Sequence, residues 1–323
     1  MPGVKHLSPP LSLPTLQRFF CRADLQEVPG SDLDSTLCSL FGIQRGEHGD
    51  FPIAALCRAK RDGRFWLRAE PVCLRPDQSR LLLFDSLDFD VSADELKALA
   101  ALFSKHFEAE EWLLDFDDPF CWYLSPANSS AISSHSLGDV FGRNMDLFLP
   151  QGGDRLRWHR LLNEVQMLFF SAEINQLREA VGKMPIGGLW FSGFGYMPER
   201  IAPRYRHMFG ADRLTAGLAG LTGTPFSKVE DWREELLPKS GASLFVYSSL
   251  QRPVWRADTL DWAEKVAELG VWLGQRLDEL AQGRLDELML YPCDGRVFRF
   301  TRRHRYSFWR GSKPLLFWLQ GEH

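Results

Sequence analysis

The polar residues with the greatest chemical potential lie in one short stretch of the chain. Asn175 and Arg178 are three residues apart, so a helix would place an amide and a guanidinium on one face, which suits a carboxylate or a phosphate. Asn163, Glu164 and Gln166 spread over neighbouring helix faces, so some of them must be structural. A helix cap at Asn175 and a buried ion pair of Arg178 would explain both residues without a ligand.

A glycine-rich segment follows at residues 187–195. Its pattern predicts a strand that leads into a glycine-rich turn, where backbone N–H groups could approach an anion or a flat ring. It contains neither the GxxxxGK[ST] phosphate loop nor the third glycine of a dinucleotide fingerprint. We predict a ligand-binding set from both stretches, with Arg178 as the expected contact for an anion: Trp158, Glu164, Asn175, Arg178, Trp190, Gly193 and Gly195.

Local motifs for metal binding and for nucleophilic catalysis are missing from the sequence. The eight histidines form no HxxxH or HExxH pair, and no GxSxG motif is present. The six cysteines are scattered without a CxxC pair, which is typical of reduced thiols that serve packing. We therefore predict no metal and no cofactor, and we assign no catalytic residue.

Residues 296–310 alternate arginines with aromatic rings. This period of two predicts a hairpin with Phe298 and Phe300 buried and its arginines exposed. Such a surface could hold phosphates or a nucleic-acid backbone. A charged strand edge that discourages aggregation explains the same residues, and we favour that interpretation.

Composition limits the classes of partner. The chain has 323 residues, with 38 basic and 42 acidic side chains and a net charge of -4, which argues against a protein that mainly coats nucleic acid or an anionic membrane. No apolar run is long enough to span a bilayer, and the amino terminus lacks the apolar core of a signal peptide. We expect a cytoplasmic protein, and its 24 Phe and 11 Trp predict an interior rich in rings.

Several elements must position these residues. A capping box at Ser92 and Glu95 predicts a helix to about residue 107, and apolar spacing predicts another over 153–170. Strands are predicted over 64–67, 80–84 and 186–195. Because strands alternate with long helices, we expect an α/β fold with a mixed, mostly parallel sheet flanked by helices. The predicted domains are a lead and cap over 1–50 and an α/β domain over 51–323, with room for a small subdomain near 110–150.

Three segments together resemble a known family. They are 158–167, 175–182 and 188–195, supported by 66–72, 81–86 and 308–310, and they resemble the proteobacterial "regulatory protein, RpfE type" family over about residues 60–315. That family is distantly similar to archaeal-type cofactor-independent phosphoglycerate mutases of the alkaline phosphatase superfamily. The resemblance implies a degenerate alkaline-phosphatase-like α/β scaffold with helices on both sides of the sheet.

The mutases use two divalent metals held by aspartates and histidines, together with a serine that accepts the phosphoryl group. The chain lacks the corresponding Asp-Gly start and the late Asp-His step, so the resemblance does not carry the activity over. The leading hypothesis is a cytoplasmic ligand-binding or regulatory protein on a phosphoglycerate-mutase-like scaffold, without metal-dependent catalysis. Its expected partner is a small anionic or phosphorylated ligand, with nucleic acid disfavoured, no membrane, and no oligomeric state predicted.

Two alternatives stay open at this point. The first is a phosphoryl-transfer enzyme, a phosphomutase or phosphatase, whose ligands come from dispersed residues such as Asp85, His135 and His159. It requires at least three nitrogen or oxygen ligands to converge on one point. The second is a nucleic-acid or protein interaction module that uses the basic segment over 296–310.

Overall fold

The computed structural model describes residues 13–233, 236, 240–307, 310–311 and 313–319, with the backbone alone for residues 117, 316 and 319. The helices are α1 (Pro14–Arg22), α2 (Leu33–Leu40), α3 (Ile53–Arg58), α4 (Ala93–His106), α5 (Leu137–Val140), α6 (Arg155–Phe170), α7 (Glu173–Ala180), α8 (Arg213–Thr222), α9 (Gln251–Trp255), α10 (Thr259–Gln282) and α11 (Leu315–Leu319). The strands are β1 (Asp24–Glu27), β2 (Phe65–Asp77), β3 (Arg80–Asp85), β4 (Leu113–Asp118), β5 (Cys121–Ser125), β6 (Gly188–Tyr196), β7 (His207–Phe209), β8 (Phe226–Ser227), β9 (Ser243–Phe245), β10 (Glu287–Leu290) and β11 (Arg296–Thr301).

Contacts divide the chain into two units. One unit joins the described residues up to Leu40 to those from Tyr247 onward, and the other is Phe41–Val246. The sequence-based boundaries, at residue 50 and around 110–150, differ from this division and stay a prediction. Within the described residues, no helix is both long enough and apolar enough to cross a bilayer.

The Phe41–Val246 unit is built on a five-stranded sheet in which all the pairing is antiparallel. Strand β2 pairs with β3, β5 and β6, and β4 pairs with β5. Only two residues separate β2 from β3, and two separate β4 from β5, and such short connections join antiparallel neighbours. Parallel pairing occurs between β7 and each of β8 and β9. The mixed α/β prediction is thus confirmed, whereas the prediction of a mostly parallel sheet is wrong.

One face of this sheet carries the main core. Leu67 and Ala69 of β2 pack there with apolar side chains of α4 and α6. The predicted helices are confirmed: α4 begins with the expected capping box of Ser92 and Glu95, and α6 spans residues 155–170. Alternation along β2 therefore turns its even-numbered side chains, from Trp66 onward, to the opposite face.

Helix α3 covers that opposite face. Ala54 and Ala55 pack against Trp66 and Tyr123, and α8 packs on the other side of α3. Gly217 of α8 lies so close to the Leu56 carbonyl that a Cβ would overlap it. Small residues thus hold α3 tightly between the sheet and α8.

The second unit contains an antiparallel sheet of order β1-β11-β10. Phe298 and Phe300 of β11 are buried as predicted and pack with Phe19 and Phe20 of α1. The hairpin predicted over 296–310 is wrong, because β11 ends at Thr301 and a 3-10 helix, Arg302–Tyr306, follows. The side chain of His304 caps the start of this 3-10 helix, since its ring Nδ1 accepts a hydrogen bond of 2.8 Å from the Thr301 N–H.

Candidate functional site

Arg178, the expected anion contact, lies buried in a network of internal hydrogen bonds. Its Nε donates to the Met184 carbonyl at 2.8 Å, and its Nη2 donates to the Phe89 carbonyl at 2.7 Å. Its Nη1 donates to the Asp90 carbonyl at 3.3 Å and to Glu95 Oε1 at 2.8 Å. Each guanidinium nitrogen therefore has a partner in the protein, and the buried ion pair considered from the sequence is present.

Asn175 is also buried, and it joins two elements of the main core. Its Nδ2 donates to the Phe169 carbonyl at 2.7 Å and to the Ile186 carbonyl at 2.9 Å. Its Oδ1 accepts from the Ile186 N–H at 2.8 Å. The side chain thus ties the end of α6 to the segment that enters β6.

The remaining side chains of the predicted set lie in different surroundings. Trp158 is buried in the main core, and its indole N–H has no hydrogen-bond partner among the described residues. Trp190 extends from the opposite face of β6 and donates its indole N–H to the His135 carbonyl at 2.9 Å. Glu164 is half exposed and lies 2.8 Å from His106 Nε2. The structure does not bring these three together, and ligand binding by the predicted set stays a prediction.

Gly193 and Gly195 lie inside β6, where its pairing with β2 shifts register. The predicted glycine-rich turn is therefore wrong, because the glycines form a bulge within a strand. A Cβ on Gly195 would lie 2.6 Å from Pro52 Cβ, and one on Gly193 would lie 3.0 Å from Ile53 Cβ. These glycines allow the start of α3 to pack directly against the sheet.

A row of polar side chains crosses the sheet face beneath α3, and local sequence reasoning missed it. Tyr123 pairs with Asp115 on one side and with Arg68 on the other, and Arg68 also pairs with Ser192. Directly paired residues share a face of the sheet. This polar row spans four strands, a distance of about 14 Å at the usual strand spacing.

Further polar contacts surround the inner part of the polar row. Ser192 Oγ donates to Glu70 Oε2 at 3.2 Å, and Arg68 Nη2 donates to Cys57 Sγ at 3.3 Å. Burial raises the pKa of Tyr123, so its hydroxyl stays protonated at neutral pH. The polar row therefore combines charged groups with a neutral phenol on the sheet face that α3 covers.

At the Asp115 end, the polar row opens into a cleft of about 410 Å³, which we name the α3 cleft. The guanidinium carbon of Arg58 lies 3.3 Å from the centre of the Trp66 ring. Asp115 Oδ2 accepts from Arg58 Nε at 2.9 Å and Nη2 at 2.8 Å, and from Lys60 Nζ at 3.3 Å. The lining residues are Arg58, Lys60, Trp66, Leu113, Leu114, Asp115 and Phe116.

Charged side chains of both signs meet at the α3 cleft. Burial would raise the pKa of Asp115, but hydrogen bonds and charge from Arg58 and Lys60 outweigh it and lower that pKa, so the carboxylate is ionised. Asp62 also pairs with Arg58, at 2.9 Å, and accepts from the Trp66 indole N–H. Arg58 is thus shared by two carboxylates, and the half-exposed ammonium of Lys60 is the group that would favour the binding of an anion.

Metal-ligating side chains are dispersed in the part of the chain that the structure describes. No group of three or more His, Cys, Asp or Glu side chains there is arranged to hold a metal ion. Asp85 accepts from the Leu87 N–H, the His135 ring packs edge-on against Phe148, and the His159 ring bonds the Pro150 carbonyl at 2.9 Å. The three residues proposed as dispersed ligands therefore have separate local roles.

Comparison with known proteins gives distant likenesses. No family model and no curated protein matches the chain. The cofactor-independent phosphoglycerate mutase from Thermoplasma acidophilum DSM 1728 is similar at 17% identity and a TM-score of 0.37, over 81% of this chain and 76% of that one. The PH0037 protein from Pyrococcus horikoshii is similar at 14% identity and a TM-score of 0.46, over 86% and 72% of the two chains. Likenesses this weak carry no conclusion about activity, and the RpfE-type resemblance stays an expectation.

Proposed function

We propose that the chain is a binding protein for a small anionic metabolite, phosphorylated or carboxylated, which occupies the α3 cleft. The observation that carries the proposal is the cleft itself, about 410 Å³, which Lys60 lines together with Trp66 and the Arg58 guanidinium over its ring. Small-molecule sites have volumes of roughly 300–1,000 Å³ and combine apolar walls with a few polar groups. The cleft meets both conditions.

Lys60 is the first cation that an entering ligand meets. Its side chain is 55% exposed, whereas that of Arg58 is only 6% exposed and is held by Asp115. An anionic oxygen about 4 Å from the ammonium gains about 1 kcal/mol in water and about 4 kcal/mol at a protein surface. Leu113 and Phe116 then supply apolar contacts for the carbon part of the ligand.

A regulatory role in the cytoplasm, on a degenerate phosphoglycerate-mutase-like scaffold without metal-dependent catalysis, belongs to the same proposal. The alternative of a nucleic-acid or protein interaction module that uses the basic segment 296–310 is supported less well by the contacts of its arginines. Arg299 lies within 2.6 Å of Glu287, and Arg310 Nη2 donates to Asp24 at 3.0 Å. These two arginines already pair with carboxylates within the protein, which leaves them less available to a phosphate.

Calorimetric titration tests the proposal, with inorganic phosphate, 3-phosphoglycerate and citrate as probes. The key variant is Lys60→Glu, and the matched control is Lys97→Glu on α4. The two lysine side chains are 55% and 57% exposed, and Lys60 lies near Asp115 as Lys97 lies near Asp94. We expect at least one probe to bind, with affinity reduced about tenfold or more by Lys60→Glu and unchanged by Lys97→Glu. Failure of every probe to bind, or equal losses in both variants, would overturn the proposal.

A further inference from the structure

Two cysteines lie close together where the last turn of α3 covers the five-stranded sheet. Cys57 belongs to that last turn, and Cys121 is the first residue of β5. Both pack against the same apolar cluster, which contains Trp66 and Tyr123. Residues two apart on a strand share a face of the sheet, so Cys121 lies with Tyr123 on the face that α3 covers. The two thiols are therefore neighbours in space, although they lie 64 positions apart in the chain.

An arginine beside Cys57 favours the thiolate form of this cysteine. Arg68 Nη2 donates to Cys57 Sγ at 3.3 Å, and a neighbouring guanidinium stabilises the negative charge of a thiolate. Cys57 is half-buried, which leaves part of its side chain open to small oxidants. Cysteines that react with oxidants lie in such electropositive and partly exposed surroundings. Cys57 therefore has the character of an attacking thiol.

Cys121 has the complementary character. Burial, together with the nearby Cys57 and Glu70, raises the pKa of the Cys121 thiol to about 11, so this thiol stays protonated at neutral pH. Cysteines that sense oxidants often have a second thiol beside them, which closes a disulfide once the first has been oxidised. The position of Cys121 beside Cys57 matches that of the second, resolving thiol.

We propose that Cys57 and Cys121 form a reversible disulfide when hydrogen peroxide oxidises the protein. In the first step, the Cys57 thiolate attacks one peroxide oxygen, the O–O bond breaks, and hydroxide leaves, so that Cys57 becomes a sulfenic acid. In the second step, the Cys121 sulfur attacks the Cys57 sulfur, the S–S bond forms, the S–O bond breaks, and the leaving oxygen takes the Cys121 proton as water. The two thiols lose two electrons, which reduce the peroxide to water, and a dithiol reductant reverses the change.

Peptide mass spectrometry after oxidation tests the disulfide. The reduced protein is treated with hydrogen peroxide, its remaining thiols are alkylated, and it is digested with trypsin without a reductant. Trypsin releases the peptides 46–58 and 106–143, each of which contains one cysteine. We expect these two peptides to be joined, with a mass two hydrogen atoms below their sum, and to separate on treatment with dithiothreitol. Absence of the joined peptide, or disulfides between other cysteines in its place, would overturn the proposal.

Variants test the separate roles of the three side chains. Cys121→Ser should stop the oxidation at the Cys57 sulfenic acid, which dimedone traps. Arg68→Gln should slow the oxidation of Cys57 about tenfold, because loss of the cation lowers the thiolate fraction, and Arg68→Lys should restore most of the rate. The control thiol is Cys21, also half-buried, whose sulfur contacts the backbone of Lys313. If Cys57 is oxidised no faster than Cys21, or if Arg68→Gln leaves its rate unchanged, the proposal is wrong.

Discussion

Replacement of Arg178 by Met separates a structural role for this residue from a role in ligand binding. The substitution keeps an unbranched apolar stem and removes the guanidinium. It leaves the carbonyls of Met184, Asp90 and Phe89, together with the Glu95 carboxylate, without the donor that they share in the folded state. The variant thus disrupts four hydrogen bonds at a buried site.

The expected loss of unfolding free energy follows from those partners. A lost hydrogen bond with a neutral acceptor costs about 1 kcal/mol, and one with a charged partner costs about 1.5–3 kcal/mol. The sum, about 4.5–6 kcal/mol, is an upper bound, because removal of one member of a buried ion pair typically costs roughly 3–5 kcal/mol. Because the Glu95 side chain is 22% exposed, water can solvate part of its charge. We therefore expect a loss of about 3–4 kcal/mol.

The pH dependence adds a second signature. Burial would raise the pKa of Glu95, but hydrogen bonds from Ser92 and Arg178 prevail and lower it from its ordinary 4.5. A lowered carboxyl pKa contributes stability that is present above 4.5 and is lost as the pH falls through the lowered value. The penalty of Arg178→Met should therefore shrink in acid.

Urea denaturation at neutral and acid pH measures both effects, with Arg155→Met as the control. Arg155 is exposed on α6, so its replacement should change the unfolding free energy by less than about 0.5 kcal/mol. A loss below about 1 kcal/mol for Arg178→Met would refute the reasoning. So would a variant that keeps its stability but no longer binds the anionic probe, because Arg178 would then contact the ligand.

Two further predictions concern the packing and charge around β6. Gly195→Ala should lower the unfolding free energy by about 1–3 kcal/mol, because its Cβ would lie 2.6 Å from Pro52 Cβ. The control is Gly220→Ala, whose Cβ would meet nothing within 4 Å and which should raise the Tm in thermal denaturation. Equal effects of the two substitutions on the Tm would contradict this account. Burial raises the pKa of Asp50 above 3.8 despite opposing hydrogen bonds from Ser134, so that carboxyl contributes stability in acid that is lost as the pH rises through the raised value. In urea denaturation, the unfolding free energy of Asp50→Asn should rise relative to that of the wild type between about pH 4 and pH 7. A difference in unfolding free energy that does not change with pH would contradict the raised pKa.

Local signals in the sequence predicted the helices well, but they could not predict the direction of the strands. The capping box of Ser92 and Glu95 acts within one turn, so it specifies the start of α4 wherever that helix packs. Strand direction in this unit depends on β2, which is long enough to pair with three other strands. Those pairings join distant parts of the chain, and the alternation of strands and helices suggested parallel crossovers instead.

The candidate site escaped sequence reasoning for a similar reason. Arg68 and Glu70 alternate with the buried Leu67 and Ala69, so a charged second face of β2 was the one local signal available. Asp115, Tyr123 and Ser192 contribute a single side chain each from separate strands, which leaves no motif at fixed spacing. The dense polar stretch around Arg178 was visible in the sequence, but the hydrogen bonds of Arg178 join α7 to Glu95 of α4 and to neighbouring loops.

A crystal structure of the protein soaked with its tightest-binding probe tests the central claim most directly. The account predicts density for the anion in the α3 cleft, with an oxygen within hydrogen-bond distance of Lys60 Nζ and the carbon part against Trp66. Density beside Arg178 and Asn175 with the α3 cleft unfilled would contradict it.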